Sequence, residues 1–168
     1  IMAIYYGDGS NSSSGSGRCV QRIVSSTNTG TVRSNNSGYI ALGGFSVSIT
    51  PKDNTNKILV EAQLCVDTYH SSGGAGAEIY LQRSINNSGA VAYETMVKGR
   101  SNVSTNNMAS ISFICFDNPQ TTSTVVYTLY GRECHGNTQA TFNATPSSSN
   151  FGSGQTYTGT LIATEVAT

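Results

Sequence analysis

Histidines, cysteines and acids are the residues of this sequence with which a catalytic site could be built. Nucleophilic catalysis needs a serine or cysteine held by a base, most often a histidine. The sequence contains only His70 and His135 as histidines, has no G-x-S-x-G elbow, and gives no cysteine a local signature of activation. We therefore predict no catalytic residues of this kind.

Metal ligands are the second chemistry to consider. The ligand-rich places are Cys65 with His70 and the adjacent Cys134 and His135, but no C-x-x-C spacing typical of zinc occurs. A calcium loop led by Asp8 would lack its later acidic ligands. We expect no metal and no cofactor. Free or buried thiols are the favoured interpretation of the four cysteines, with a disulfide left open: Cys19, Cys65, Cys115 and Cys134.

Carboxylates are numerous enough to consider glycoside hydrolysis, which needs two acids facing each other across a cleft. Nothing in their spacing selects a pair, and most occupy outward strand positions where solvation is expected: Glu61, Asp67, Glu78, Glu94, Glu133 and Glu165. No phosphate-binding loop occurs, because the glycine-rich stretch lies outside a strand-to-helix context. The prediction is a protein that is not an enzyme, with a glycan-degrading enzyme on a β-sandwich kept as an alternative.

Composition supports the same interpretation. Charged residues make up 11% of the 168-residue chain and the formal net charge is zero. A neutral chain has no long-range field to attract nucleic acid or an anionic membrane. No apolar run approaches the ~20 residues of a membrane span, so membrane insertion is not expected. The length suits one domain with a hydrophobic core.

The segments that carry these residues have the sequence pattern of strands. Phe45, Val47 and Ile49 alternate with polar residues, and Pro51 ends the run because proline cannot donate to a ladder. In the next run Ile58 to Val66 place every second residue on a core face, and residues 77–82 repeat the pattern. No helical period is evident. We predict an all-β fold, an antiparallel β-sandwich of jelly-roll-like form, over residues 18–168.

Residues 1–17 differ from the rest of the chain. A short apolar head is followed by a Gly/Ser linker, Gly7 to Gly17, which is too poor in side chain to bury a core. A short strand joined to the domain by a flexible linker is suited to pairing with the sheet edge of a partner. We therefore predict that this segment is an anchor to a partner protein, with Ile4, Tyr5 and Tyr6 as its contact residues.

Two long stretches carry a resemblance: "RCVQRIVSSTNTG" and "YIALGGFSVSITPKDNTNKILVEAQLCV". They resemble a β-sandwich domain of tailed phages, of marine and cyanophage type, found in virion structural and tail-fibre proteins. "AEIYLQRS" is similar to the family's next strand, and the ending "TGTLIATEVAT" resembles its closing strand with a hydrophobic-x-Glu-hydrophobic finish. The likeness covers about Arg18 to the end of the chain. The matching positions are Gly44, Ser46, Ile49, Thr50, Pro51, Lys57 to Val60 and Ala163 to Val166.

This resemblance implies a bacteriophage virion protein on the exterior surface of tail or head, assembled as a homotrimer and partnered by other virion proteins. In this sequence a linker and a short head precede the domain, whereas tail-fibre members often carry a long shaft. We expect this difference to favour a small add-on subunit such as a capsid decoration protein or a terminal knob. We predict a tail fibre or knob module for host attachment, with a capsid decoration protein as the alternative.

Strands that are apolar on both faces need cover from a partner subunit, or from elsewhere in the monomer. "ASISFICFDN" and the strand Val125 to Tyr130 have this pattern, which indicates a trimer interface. Host glycan contact is predicted on three loops, 70–76, 86–90 and 98–108. Trimer-interface candidates are Ile114, Phe116, Val126 and Tyr130, and receptor-contact candidates are Tyr69, His70, Asn86, Asn87 and Arg100.

Overall fold

A computed structural model describes residues 2–4, 17–34, 38–70, 74–86, 88–91, 103–104, 107–133, 138–144 and 156–168. Within these ranges thirteen strands and their turns occur, and no helix. The strands β1 to β13 are Met2–Ile4, Cys19–Thr27, Thr31–Ser34, Ile40–Ile49, Lys57–His70, Gly74–Ala75, Ala77–Ile85, Ser88–Val91, Val103–Ser104, Asn107–Asp117, Val125–Glu133, Thr138–Phe142 and Gly159–Val166.

The larger sheet, sheet A, is organised around the 14-residue strand β5. In the described part of the chain it has seven strands, in the order β1-β2-β13-β5-β12-β3, with β10 on the other edge of β5. One edge of β5 thus pairs first with β13 and then with β12, while β10 follows the opposite edge from Ile58 to Thr68. Every named pairing in this sheet is antiparallel.

The smaller sheet, sheet B, has the order β4-β11-β7-β8 within the described residues. Alternate residues of β11 are buried along its whole length, as the period of two requires for a sheet with one face on the core. The inner faces of the two sheets pack together and bury Phe45, Phe142 and Tyr127 almost completely. The antiparallel β-sandwich predicted from the sequence is confirmed. The trimer remains a prediction.

Strand β4 contains a bulge where it pairs with β11. The register shifts from Thr128 opposite Ser46 to Tyr130 opposite Ala41, which leaves extra residues on β4. Gly44 lies there with a φ of 75°, and a Cβ at this position would collide with the side chain of Thr27. Glycine is therefore required at this position both for backbone conformation and for the close approach of β2.

Glu165 ties the closing strand to the turn between β4 and β5. Its side chain is fully buried, and Oε1 accepts hydrogen bonds from the Lys52 backbone N–H at 2.7 Å and the Asn56 side chain at 2.7 Å. Oε2 accepts from the Gln21 side chain at 2.6 Å. The T-P-K-D-N turn and Glu165, which lie far apart in the sequence pattern, thus contact each other in the folded domain.

A buried ion pair joins β10 to sheet B. Arg83 Nη1 lies 2.7 Å from Asp117 Oδ1 and 2.8 Å from Oδ2, and both side chains are 7% exposed. The Tyr127 hydroxyl donates to Asp117 Oδ2 at 2.6 Å. Burial, followed by the neighbouring Asp117 carboxylate, raises the pKa of Tyr127, so its hydroxyl stays protonated and keeps donating. These contacts hold the end of β10 onto the core.

Candidate functional site: the outer faces of the two sheets

The outer face of sheet A, called here face A, carries the most exposed large apolar side chains of the described residues. Ile114 and Phe116 on β10 are 66% and 60% exposed. Ile111 and Cys115 face the other side of the strand and pack against the core. An apolar pair left open on an edge strand is the kind of surface that marks a protein contact.

Antiparallel register places the outward side chains of face A in rows across the strands. One row contains Ile114, Glu61, Ile162 and Val24 on β10, β5, β13 and β2. The next row contains Phe116, Leu59, Thr164 and Arg22 on the same strands. The Glu61 carboxylate is therefore flanked by two isoleucines, and Arg22 is exposed at the other side of the face.

A shallow groove of about 420 Å³ crosses face A above β5. Its walls are Ser112 and Ile114 on one side and Thr160 and Ile162 on the other, and Glu61 and Gln63 line it between them. Among the described residues, the charged side chains in the outward register of this face are Arg22, Lys57 and half-buried Glu61, together with Asp67 near the far end of β5. The groove therefore suits an elongated side chain that carries a positive charge.

The outer face of sheet B, called here face B, contains a compact aromatic cluster. Tyr80 and Tyr130 stack with ring centroids 5.1 Å apart, and Tyr39 meets Tyr80 edge-on at 4.6 Å. Glu78 Oε2 accepts hydrogen bonds from the Tyr39 hydroxyl at 2.5 Å and from Arg132 Nε at 2.7 Å. Burial and the nearby Tyr130 raise the pKa of Tyr80. The residues of this cluster therefore make ring contacts and hydrogen bonds with one another.

The trimer-interface candidates fall on both faces. Ile114 and Phe116 belong to face A, whereas Val126 and Tyr130 lie half-buried on face B. The two faces are on opposite sides of the sandwich, so the four residues do not form one patch. Sequence periodicity assigned each residue to a side of its strand but had no information on which sheet the strand would join.

The receptor-contact candidates are separated as well. Tyr69 and His70 end β5, where they pair with the start of β12. Asn86 lies at the other end of the sandwich with a φ of 54°, and its backbone N–H donates to the Thr124 carbonyl at 2.9 Å. Asn87 and Arg100 lie outside the described residues. The predicted contact loops are also shorter than expected, because β6, β8, β9 and the start of β10 occupy parts of them.

The predicted anchor is described only in part. The backbone of β1 pairs antiparallel with β2 of the same chain, with Ile4 opposite Arg22 and Met2 opposite Val24. Tyr5 and Tyr6 lie outside the described residues. The strand therefore adds to the β2 edge of its own sheet, and its addition to the sheet edge of a partner remains a prediction.

The expectation of solvated acids is wrong for three residues. Asp67, Glu133 and Glu165 are at most 1% exposed. Burial raises the pKa of Asp67. The carboxylates of Asp67 and Glu133 accept no hydrogen bond within the described residues. They do not face each other, because Asp67 is on the outward register of sheet A and Glu133 is on the inward register of sheet B. Glu133 and Glu165 continue the inward alternation of β11 and β13, whereas Asp67 is buried although it lies on the outward register of β5.

The cysteines within the described residues, Cys19, Cys65 and Cys115, are free thiols, and Cys134 lies outside the described residues. Burial raises the pKa of Cys65, and it raises the pKa of Cys115 to about 11 with a smaller contribution from Asp117. Both thiols are thus held in the unreactive protonated form at neutral pH.

The described part of the chain contains neither a cluster of metal ligands nor a membrane-spanning helix. No group of three or more His, Cys, Asp or Glu side chains is arranged to hold a metal there. No helix of membrane-spanning length and hydropathy occurs in the described ranges.

Comparison with known proteins gives partial structural similarity only. No protein-family model matches the chain, and no curated protein sequence is similar to it. The resemblance to the tailed-phage domain therefore stays a prediction.

Among solved structures, similar chains come from infectious bursal disease virus. Strain Gx gives 14% identity and a TM-score of 0.41, covering 99% of this chain and 44% of that one. Strain Gt gives 13% and 0.46, covering 100% and 43%. A mutant VP2 protein of the virus, from derived particles, gives 13% and 0.45, covering 100% and 41%. This chain thus spans less than half of the length of each of these chains.

Proposed function

We propose that the chain is a non-enzymatic virion structural protein, displayed on the exterior of the particle and assembled there as a homotrimer. The observation that carries this proposal is the exposure of Ile114 and Phe116 on face A. Exposed apolar side chains that lie next to each other on one face are a surface that contact with another protein would cover. The two-layered β fold and the sequence resemblance to phage virion domains support the same role.

Within the virion we propose a tail-fibre or knob module, with capsid decoration as the alternative location. An antibody raised against residues 18–168 should label intact particles of the source virus at the tail in immunogold microscopy. Labelling over the head would support decoration instead. Particles that carry no label, while denatured virion protein does react with the same antibody, would favour a chain hidden in the particle interior and contradict surface display.

Host attachment is the finer part of the proposal. Tyr69 and His70 at one end of the sandwich and Asn86 at the other are too far apart for one glycan site, since β5 alone spans about 14 residues at ~3.3 Å each. We place the contact at the Tyr69–His70 end, because a tyrosine ring and an imidazole supply stacking and hydrogen bonding to a sugar. Tyr69→Ala with His70→Ala should weaken binding of the trimer to host polysaccharide, and Asn86→Ala should leave it unchanged.

The enzymatic alternative has a direct test. Incubation of the purified chain with host polysaccharide should release no sugar, because Asp67 and Glu133 do not form a facing pair of acids. Release of oligosaccharides that is abolished by Asp67→Asn would contradict a purely structural role.

The anchor is proposed to act through β1. Removal of residues 1–17 should leave a folded domain, since the described core lies in residues 42–163, but should prevent incorporation into particles. Incorporation of the shortened chain at the normal level would exclude this role for Ile4, Tyr5 and Tyr6.

A further inference from the structure

We propose that three copies of the chain assemble with face A turned inward around β13, so that Glu61 of each copy pairs with Arg22 of its neighbour. This inference depends on the proposed role as a self-assembling virion protein. It adds which face assembles, which strand lies nearest the axis, and which charges meet across the contact.

The strand order of face A gives the geometry. Outward residues of β10, β5, β13 and β2 lie side by side, with β13 between β5 and β2. Neighbouring strands are separated by about 4.8 Å, so β10 and β2 are about 14 Å apart across the face. Around a three-fold axis, the β10–β5 side of one face meets the β2 side of the next, which is a closed heterologous contact. Ile162, central in its row, then lies closest to the axis.

The two sides of face A are complementary in charge. In the row of the groove the β10–β5 side presents the Glu61 carboxylate, with the exposed Lys57 two rows away along β5, and the β2 side presents the exposed Arg22. Neither residue makes an ion pair within the described part of the chain. The contact around a three-fold axis brings the acid of one copy to the base of the next and repeats this pair at each interface. A single sign of charge on both sides would have opposed such an assembly.

The two sides are also complementary in apolar surface. Ile114 and Phe116 are the open apolar residues of one side, and half-buried Val24 is an apolar residue of the other. The groove over β5 lies next to Ile114 and has Glu61 in its lining. Arg22 of a neighbour enters this groove with its apolar stem between Ile114 and Ile162 and its guanidinium at Glu61, which is how arginine combines packing with charge pairing. A second copy of the chain is therefore the occupant that this face fits.

Charge reversal tests the pair directly. The mass of the purified full chain is followed by sedimentation velocity over a range of concentrations, for the wild type, Glu61→Arg, Arg22→Glu and the double variant. We expect a trimer for the wild type, dissociation constants raised at least about tenfold in each single variant, and recovery to within about threefold of wild type in the double variant. Loss of association in the double variant as well would overturn the Glu61–Arg22 pair.

Matched lysine substitutions test the face. Ile114→Lys on face A should produce monomers, and Val126→Lys on face B should remain trimeric, while far-ultraviolet circular dichroism confirms that both variants are folded. A trimer that is dissociated by Val126→Lys and retained by Ile114→Lys would overturn the choice of face and leave self-assembly intact. A wild-type chain that stays monomeric at every concentration would overturn the inference, whereas the immunogold result decides the virion role independently.

Discussion

Face A and face B are outer surfaces of the same sandwich, but their side chains are used differently. On face B the aromatic rings of Tyr39, Tyr80 and Tyr130 contact one another, and Glu78 accepts hydrogen bonds from Tyr39 and Arg132. On face A, Ile114 and Phe116 stay open to solvent. The large side chains of face B thus contact one another within the domain, whereas those of face A remain available to contact a partner.

The comparison teaches that composition alone does not identify an interaction surface. A tyrosine-rich face attracts attention in a sequence, because tyrosine is common in binding sites. Here the tyrosine rings of face B pack against each other. The more exposed apolar residues are Ile114 and Phe116 on the edge strand β10. What separates the faces is whether each side chain already has a neighbour.

The largest effect is expected from the buried ion pair beneath the β10 edge of face A. Asp117→Ala removes the buried carboxylate that pairs with the Arg83 guanidinium, which should lower the free energy of unfolding by about 3–5 kcal/mol. Urea denaturation followed by circular dichroism measures the change. Ser112→Ala, on the exposed side of the same strand, should stay within about 0.5 kcal/mol of wild type. Equal losses in the two variants would mean that β10 itself, and not the pair, is sensitive.

The next effect concerns Glu165, which fixes the end of β13 beside face A. Glu165→Ala removes the acceptor for two backbone N–H groups and two side chains, which should lower the free energy of unfolding by about 2–3 kcal/mol. Increased hydrogen exchange at Lys52 and Asp53 should accompany the loss. Unchanged exchange in this turn would show that it is held by other contacts.

A smaller effect is expected within face B. Tyr130→Ala removes the ring that stacks on Tyr80 and should lower the free energy of unfolding by about 1–2 kcal/mol. Tyr130→Phe keeps the ring and serves as the control, with most of the stability retained. A neutral Tyr130→Ala would mean that the stack adds nothing to the fold, and face B would then resemble face A.

The smallest effect is expected on face A itself. Ile114→Thr keeps the β-branched shape and changes only an exposed side chain, so the stability of the isolated domain should shift by no more than about 0.5 kcal/mol. Thermal unfolding at a concentration where the chain is monomeric measures this. A loss as large as that of Tyr130→Ala would show that Ile114 belongs to the monomer's own packing.

Local pattern in the sequence predicted the all-β class and the core face of β5 and β7, because alternation is a property of each strand by itself. It did not predict that Val126 and Ile114 lie on opposite sides of the molecule, since that depends on strand order. The contacts of Glu165 with residues 109 to 113 positions earlier depend on tertiary pairing in the same way. The short strands β3, β6 and β9 have too few residues for a period to be visible.

Strand β5 is hydrogen-bonded along both of its edges. One edge of this strand is divided between β13 and β12, and the other edge is occupied by β10 over most of its length. Amide groups along β5 are therefore bonded on both sides, and we expect their protons to be among the last to exchange with heavy water. A pulling force on β10 would be transmitted through β5 to both β13 and β12. We therefore expect the hydrogen bonds of β5 to these two strands to resist the force together.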